Sequence, residues 1–246
     1  MKQILDYLLS PFFHLYFLVV LLIFHPIQVL AYKLGGDRLR KRTVIVLNWF
    51  FVKGFWILGC PVRFSGFEKL PVGRPLIIVA NHQSLYDIPA VALGFRKFYP
   101  RFISKIELSR NIPTISYDLR KSGSALIDRE NGAQSVKEIF RLGRLIEKER
   151  FAACIFPEGT RSEDGQVRDF LPAGILTLMR AAPSALVVPF VIDGHDRLQK
   201  KGMFPLAVGT KITYAALDVI DPKLHKPEEV VAMAEHAIKK ALHQVS

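Results

Sequence analysis

At 246 residues the chain is long enough to bury a full core, and half of its residues are apolar. A net charge of +12 points to an anionic partner such as phospholipid headgroups, a phosphorylated substrate or nucleic acid. No zinc-finger spacing or other recognition-module signature accompanies the charge, which argues against nucleic acid. The two cysteines, Cys60 and Cys154, lie far apart without metal-type spacing, so neither a disulfide framework nor a cysteine metal site is expected, and a reducing compartment is the economical assumption.

The apolar excess is concentrated in the first sixty residues. Leu8 to Phe24 is nearly continuous apolar sequence, broken by Ser10, Pro11 and His14. As a helix it reaches about 26 Å, slightly short of the ~30 Å hydrocarbon core. Val29-Leu-Ala31 has the form of a cleavage site, but only Lys2 and then Asp6 precede the apolar run, which argues against a secretory leader. Lys33 to Thr43 reads as a basic connection carrying the paired glycines Gly35 and Gly36. Val44 to Cys60 is a second apolar segment, and its Asn48, Trp49, Lys53 and Trp56 suit a membrane interface or docking groove better than mid-bilayer. Residues 1–60 are therefore expected to be a membrane-associating helical segment, and residues 61–246 a separate α/β domain.

From Val62 onward short β-branched runs alternate with helical periods. Strands are expected at Arg63-Phe64, Leu76–Ala80, Phe102–Ser104, Ala125–Asp128, Ala152–Phe156, Leu186–Ile192 and Lys211–Ala215. Helices are expected at Ile88–Phe95, at Ala133–Arg150 from its apolar period, and at Pro227–Gln244, which opens on proline and Glu228-Glu229 and ends near Lys239-Lys240. The pattern predicts a single mixed-sheet α/β domain flanked by helices. Pro189 inside Leu186–Ile192 marks that strand as an edge or bulged strand.

Islands of polar residues sit at the ends of five of these strands. Asn81-His-Gln-Ser-Leu-Tyr-Asp87 follows the second. His82 can accept a proton near neutral pH, and Asp87 can fix its tautomer and stabilise the imidazolium. Ser84 to Asp87 also has the form of a helix capping box, which would give Asp87 a purely local role. Lys105-Ile-Glu-Leu108 and Ile127-Asp-Arg129 close the next two strands. Phe156-Pro-Glu-Gly-Thr-Arg-Ser162 is a turn in which Gly159 permits close backbone approach and Arg161 can grip a phosphate with two prongs. Glu158 is placed to hold Arg161 or another cation, or to bind a substrate hydroxyl. Asp193-Gly-His-Asp196 offers a second histidine, but the Asp-Gly pair reads as a turn and His195 is not assigned to the site.

Together these islands resemble the glycerolipid acyltransferase family, of the lysophosphatidate (1-acylglycerol-3-phosphate) acyltransferase type. His82 and Asp87 match its His-x4-Asp motif. Lys105, Glu107, Leu108 and Ile127-Asp128-Arg129 look like its second block, Phe156 to Ser162 match its third over all seven residues, and Val188-Pro189 resembles the fourth. Tyr86 stands where Leu is often found, and Ser116 where Gly commonly follows an Ile-Pro pair. The resemblance implies acyl transfer from acyl-CoA or acyl-carrier protein to a glycerolipid hydroxyl, giving phosphatidate for phospholipid synthesis. It implies His82 and Asp87 as catalytic residues, with Lys105, Arg129, Glu158, Gly159, Thr160 and Arg161 binding substrate. No cofactor or metal is expected, the thioester being a substrate. The alternatives are the same chemistry on glycerol-3-phosphate or another lysolipid, or a non-catalytic basic protein bound to membrane surfaces.

The basic residues Lys33, Arg38, Arg40, Lys41 and Arg42 favour the cytoplasmic side, as does the domain if it uses cytoplasmic thioesters. A two-span hairpin would separate them, which leaves two arrangements: Leu8–Phe24 spans while Val44–Cys60 lies in the interface, or both segments dip into one leaflet. The short, Pro-broken first segment and the Lys53-bearing second favour the one-leaflet arrangement, with the catalytic domain on the cytoplasmic face of the membrane.

Overall fold

Which way the sheet faces is decided by the run Leu76-Ile-Ile-Val-Ala80, whose side chains alternate between two hydrophobic layers. In the computed structural model, which describes residues 2–162 and 164–245, Leu76, Ile78 and Ala80 join one layer and Ile77 and Val79 the other. The strands are β1 (Val62–Ser65), β2 (Leu76–Ala80), β3 (Arg101–Lys105), β4 (Ala125–Ile127), β5 (Ala152–Ile155), β6 (Leu186–Asp193) and β7 (Ile212–Ala216). They lie in the order β1-β7-β6-β2-β5-β3-β4, parallel throughout except for β6 against β7. The helices are α1 (Lys2–Gly54), α2 (Asp87–Gly94), α3 (Ile115–Ser122), α4 (Gly132–Glu149), α5 (Pro172–Ala181), α6 (His195–Leu198) and α7 (Pro227–Ala241). Apolar residues of α4, α5 and α7 cover one face of the sheet, among them Leu142, Ile175 and Val230. Residues of α1 and α2 cover the other, among them Phe13 and Val91.

The seven expected strands and the mixed sheet are present, but β6 is not an edge. It lies between β2 and β7, and Pro189 sits in register with Val79. The missing N–H is tolerated because it points to the β7 side, where the partner chain bulges. Between the pairs Val191↔Ala215 and Val187↔Ile220 the far side carries one residue more than β6, and Leu217 N donates to the Pro189 carbonyl within that bulge.

The expected basic loop at Lys33–Thr43 is also corrected. Helix runs through it, and the break is confined to Gly35 and Gly36, where Gly36 has φ 58° and ψ −151°, a conformation other residues avoid. The kink folds α1 into a hairpin. Phe17 stacks on Phe51 with centroids 4.2 Å apart, and Tyr16 OH donates to the Phe50 carbonyl at 2.9 Å.

The polar interruptions of the first apolar segment are its docking points. Ser10 Oγ accepts from Leu206 N, Asp6 Oδ1 accepts from Val208 N, both at 2.8 Å, and His14 Nε2 meets the Met203 carbonyl at 2.9 Å. Phe13, wholly buried, stacks on Phe55 and meets Tyr86 edge-on, a burial contributing about 1.5–3 kcal/mol. Residues 2–60 thus share a hydrophobic layer with the α/β domain while keeping an exposed apolar face that includes Ile4, Leu8, Phe12, Leu15, Leu22 and Leu30. The hairpin's turn is tied to the domain as well. Arg40 is buried and pairs with Asp37 and with Asp118 of α3, to which Gln28 also donates.

Candidate active site

The connections leaving β2 diverge. The chain passes to β3 on one side, β5 then inserts between them, and β6 is laid down on the other side of β2. The C-terminal ends of β2, β5 and β6 therefore meet at a switch point, where open α/β sheets hold ligands. Residues following each of the three strands build the site.

The loop after β2 is clamped by its own amides. Asn81 both donates to the Ile192 carbonyl and accepts from Ile192 N, each at 2.8 Å, and Gln83 Oε1 accepts from His195 N at 3.0 Å. These contacts fasten the loop to the end of β6. The turn after β5 holds it from the other side: Ser162 N donates to the His82 carbonyl at 2.8 Å, and His82 N donates to Glu158 Oε1 at 2.6 Å.

Within this clamp Asp87 is fully buried. Its Oδ2 accepts from His82 Nδ1 at 2.8 Å, Gln83 N at 2.7 Å and Ser84 N at 2.9 Å, while Oδ1 meets His195 Nδ1 at 2.5 Å. Burial by itself pushes the carboxyl pKa up, but hydrogen bonds from His195 and His82 outweigh it and hold the group at about 2. The capping-box expectation is half met. Asp87 accepts from Ser84 N, but Ser84 Oγ accepts from Tyr86 N rather than from Asp87 N. Asp87 therefore serves the loop and the imidazole together. With Nδ1 turned to a carboxylate, His82 keeps Nε2 for chemistry. Its ring stacks on Phe156, centroids 4.2 Å apart, and lines a cavity of about 770 Å³.

The same cavity is lined by Lys105 from the end of β3, Arg129 beyond β4, and Gly159, Thr160 and Arg161 from the turn after β5. Gly159 has φ 73°, and a β-carbon there would press to 3.2 Å from Leu171. The sequence had spread these residues over the chain, and the sheet order brings them to one mouth. Phe17, Leu47, Phe51, Phe102 and Ile103 continue the cavity as an apolar channel between α1 and the sheet.

Glu158 is placed differently from its expectation. It makes no ion pair with Arg161; its two oxygens accept from His82 N and Arg168 N, at 2.6 and 2.9 Å. Burial raises its pKa, and the two amides pull it partly back. It holds the backbone under His82 and does not line the cavity. Ser116 donates to the Leu108 carbonyl and accepts from Ile112 N, pinning the loop before α3. Tyr86 packs edge-on against Phe13, Phe17 and Phe55, so its aromatic ring receives the N-terminal hairpin.

His195 is the residue that sequence reasoning passed over. The turn expected at Asp193-Gly194 is confined to the glycine: Asp193 ends β6, and Gly194 turns the chain with φ 108° and no room for a β-carbon beside the Lys211 carbonyl. That turn aims His195 at Asp87, and its Nε2 meets Tyr214 OH at 2.8 Å. A histidine just past a strand C-terminus, as His82 is, was the available signal. Among the described residues no cluster of three or more His, Cys, Asp or Glu is arranged to hold a metal ion.

A His–Asp pair at the switch point, a Pro-Glu-Gly-Thr-Arg turn beside it and a basic-mouthed apolar cavity are now in one place. The chain belongs to the Acyltransferase family. The family model matches residues 61–193. A probable 1-acyl-sn-glycerol-3-phosphate acyltransferase of Mycoplasma genitalium is 28% identical over 205 residues, covering 78% of this chain and 72% of that protein. A 1-acyl-sn-glycerol-3-phosphate acyltransferase of Chlamydomonas reinhardtii is 30% identical over 198 residues, covering 78% of this chain and 56% of that protein. The crystal structure of the 1-acyl-sn-glycerophosphate (LPA) acyltransferase PlsC from Thermotoga maritima superimposes with a TM-score of 0.80 at 28% identity, covering 99% of this chain and 97% of that one. The resemblance read from the four motif blocks is thus the family, and this acyltransferase, an enzyme, has a seven-stranded mixed sheet flanked by helices that matches the fold of that relative, together with a long apolar N-terminal helix.

Proposed function

We propose that this acyltransferase moves a fatty acyl group from a thioester, acyl-CoA or acyl-carrier protein, to the free hydroxyl of 1-acylglycerol-3-phosphate. The observation that carries the reading is the His82–Asp87 pair at the mouth of an apolar cavity whose rim bears Lys105, Arg129 and Arg161. His82 Nε2 removes the acceptor's hydroxyl proton as its oxygen attacks the thioester carbonyl, and Asp87 stabilises the imidazolium. Lys105 or backbone N–H groups at the start of α2 stabilise the oxyanion. Collapse breaks the C–S bond, and the imidazolium returns its proton to the departing sulfur, leaving an ester and a thiol. Direct attack by the acceptor suits the residues present: Cys60 and Cys154 are buried, their thiols pushed up in pKa by desolvation, and neither lines the cavity.

Arg161 and Arg129 with the Gly159 turn bind the acceptor phosphate, and Thr160 lies on the same rim. The exposed apolar face of α1 sits in the membrane, bringing the acceptor to the site without extraction from the bilayer. The contact of Arg40 with Asp118 supports insertion into one leaflet, since the hairpin's turn lies against α3 rather than across a bilayer from it; the use of a cytoplasmic thioester would put both on the cytoplasmic side. The test is thioester consumption by membranes containing the chain, with lysophosphatidate compared against its phosphate-free analogue. Turnover with lysophosphatidate should exceed that with the analogue by about tenfold or more, as a phosphate anchor requires. Equal turnover would transfer the reading to another lysolipid acceptor.

A further inference from the structure

His195 and Tyr214 are wholly buried, carry titratable groups, and have no part in the reaction as written above. Both nitrogens of His195 are engaged, Nδ1 with Asp87 Oδ1 at 2.5 Å and Nε2 with Tyr214 OH at 2.8 Å. Asp87 is an ionised acceptor, so Nδ1 carries a proton. The Tyr214 hydroxyl has His195 as its hydrogen-bond partner, and its proton is satisfied only if it donates to Nε2. The consistent assignment is a neutral His195 whose basic lone pair is occupied by a phenol.

We propose that His195, locked in this tautomer by Tyr214, is a positioning residue that holds the free oxygen of Asp87 and keeps the carboxylate's charge available to His82. A His195 free to take a second proton would neutralise Asp87 from behind, and the imidazolium formed on His82 would lose its counter-ion. With the phenol in place, the donor from His195 fixes the carboxylate plane without cancelling its charge. The inference rests on His82 being the general base.

The other groups facing this chain are Tyr86 beside Asp87, Cys154 of β5, Cys60 after α1, and Glu158 beyond His82. Desolvation keeps the phenols and thiols neutral, so none of them places a competing charge beside Asp87.

The test is the pH profile of kcat/KM for the full chain in detergent, with lysophosphatidate and the thioester donor that the wild type uses. His195→Ala should lower kcat about 10–100-fold, as loss of an outer partner of a working imidazole does. KM should change by less than about twofold, because His195 does not reach the cavity. Its acid limb should move to higher pH, since Asp87 without that donor binds the His82 proton more tightly. His195→Asn keeps an N–H near the Nδ1 position and should restore activity to within about threefold with an unshifted limb. Tyr214→Phe removes one oxygen and should steepen the acid limb from about one proton towards two, as Nε2 becomes free to protonate. If His195→Ala fails to fold, the decision passes to the other two variants. An acid limb of wild-type slope in Tyr214→Phe, or a His195→Asn as impaired as His195→Ala, overturns the proposal. His82→Ala separates the two readings: if it retains turnover the base assignment itself fails, and if it is inactive while Tyr214→Phe keeps the wild-type profile only the positioning role fails.

Discussion

Replacing Asp87 with asparagine should leave the fold intact and remove most turnover. The carboxylate has four donors on it: His82 Nδ1, Gln83 N and Ser84 N on Oδ2, and His195 Nδ1 on Oδ1. Asparagine can keep its carbonyl on the crowded side only by turning its NH2 towards His195. His195 must then move its proton to Nε2, against Tyr214. The opposite rotamer sets NH2 against two backbone amides and costs about 1–3 kcal/mol as a buried unsatisfied donor. In either case the charge behind the His82 imidazolium is gone, and such losses lower kcat on the order of 10²–10⁴, or about 3–5 kcal/mol of barrier. The same carboxylate contributes to acid stability. Its pKa is held at about 2 against an ordinary 3.8, which corresponds to ~2 kcal/mol. Because the folded-state value is the depressed one, this contribution is complete above the unfolded-state value and is lost as pH falls through about 4 towards 2. Denaturant titrations in detergent at pH 5 and pH 2 should therefore show the wild type losing about 2 kcal/mol more than Asp87→Asn over that interval. Thioester consumption at neutral pH gives the rate. Full activity in the variant would reduce Asp87 to a helix-capping residue, and equal acid sensitivity would refute the hydrogen-bonded account of its pKa.

Glu158→Gln should lower kcat with little change in KM and destabilise the chain by about 1–3 kcal/mol, because the amide turns one of two carboxylate acceptors into a donor facing a backbone N–H. An increase in KM alone would instead make Glu158 a substrate ligand. Arg161→Lys keeps the charge but loses the planar fork, and should weaken use of a phosphate-bearing acceptor on the order of tenfold while sparing a phosphate-free one. An equal loss with both acceptors would assign Arg161 a structural role. Cysteines introduced at the exposed positions Arg42 and Asp164 should be labelled from the same, cytoplasmic, side, over low background since Cys60 and Cys154 are buried; labelling of the Arg42 position only from the opposite face would restore a two-span hairpin.

The interior strands were legible because they are short apolar runs ending in polar turns, as in β2, β5 and β6, the pattern a mostly parallel buried sheet imposes. Their order was not. It alone decides that β6 is interior, and Pro189 misleads only because a strand's own sequence says nothing of a bulge in its neighbour. α3 escaped detection because it is short, polar and preceded by Thr114, which has φ 66° and makes no side-chain capping hydrogen bond. α5 did carry a signal, Pro172 in its first turn followed by Ile175, Leu178 and Met179 at helical spacing. In the basic segment, Arg40 reads as a surface cation because its partner Asp118 lies in a distant part of the chain.

The site divides along the same line. Residues whose role follows from local chemistry could be named from the sequence: an imidazole, an acid five positions on, a glycine turn with arginine. Residues whose role is to hold another residue could not. Glu158 in a Pro-Glu-Gly-Thr turn looks like a ligand for whatever the turn binds, until its two oxygens are found on the amides of His82 and Arg168. Asn81 and Gln83 belong to a recognisable motif, yet their work is to fasten it to Ile192 and His195, more than a hundred positions away. His195 is the extreme case, a buried group whose partners come from α2 and β7 and meet only when β6 is laid beside β2. What the motif specifies locally is the His82–Asp87 pair. What the fold adds is the set of donors that keeps Asp87 charged in a dry interior, without which burial would favour its neutral form and deprive His82 of its counter-ion.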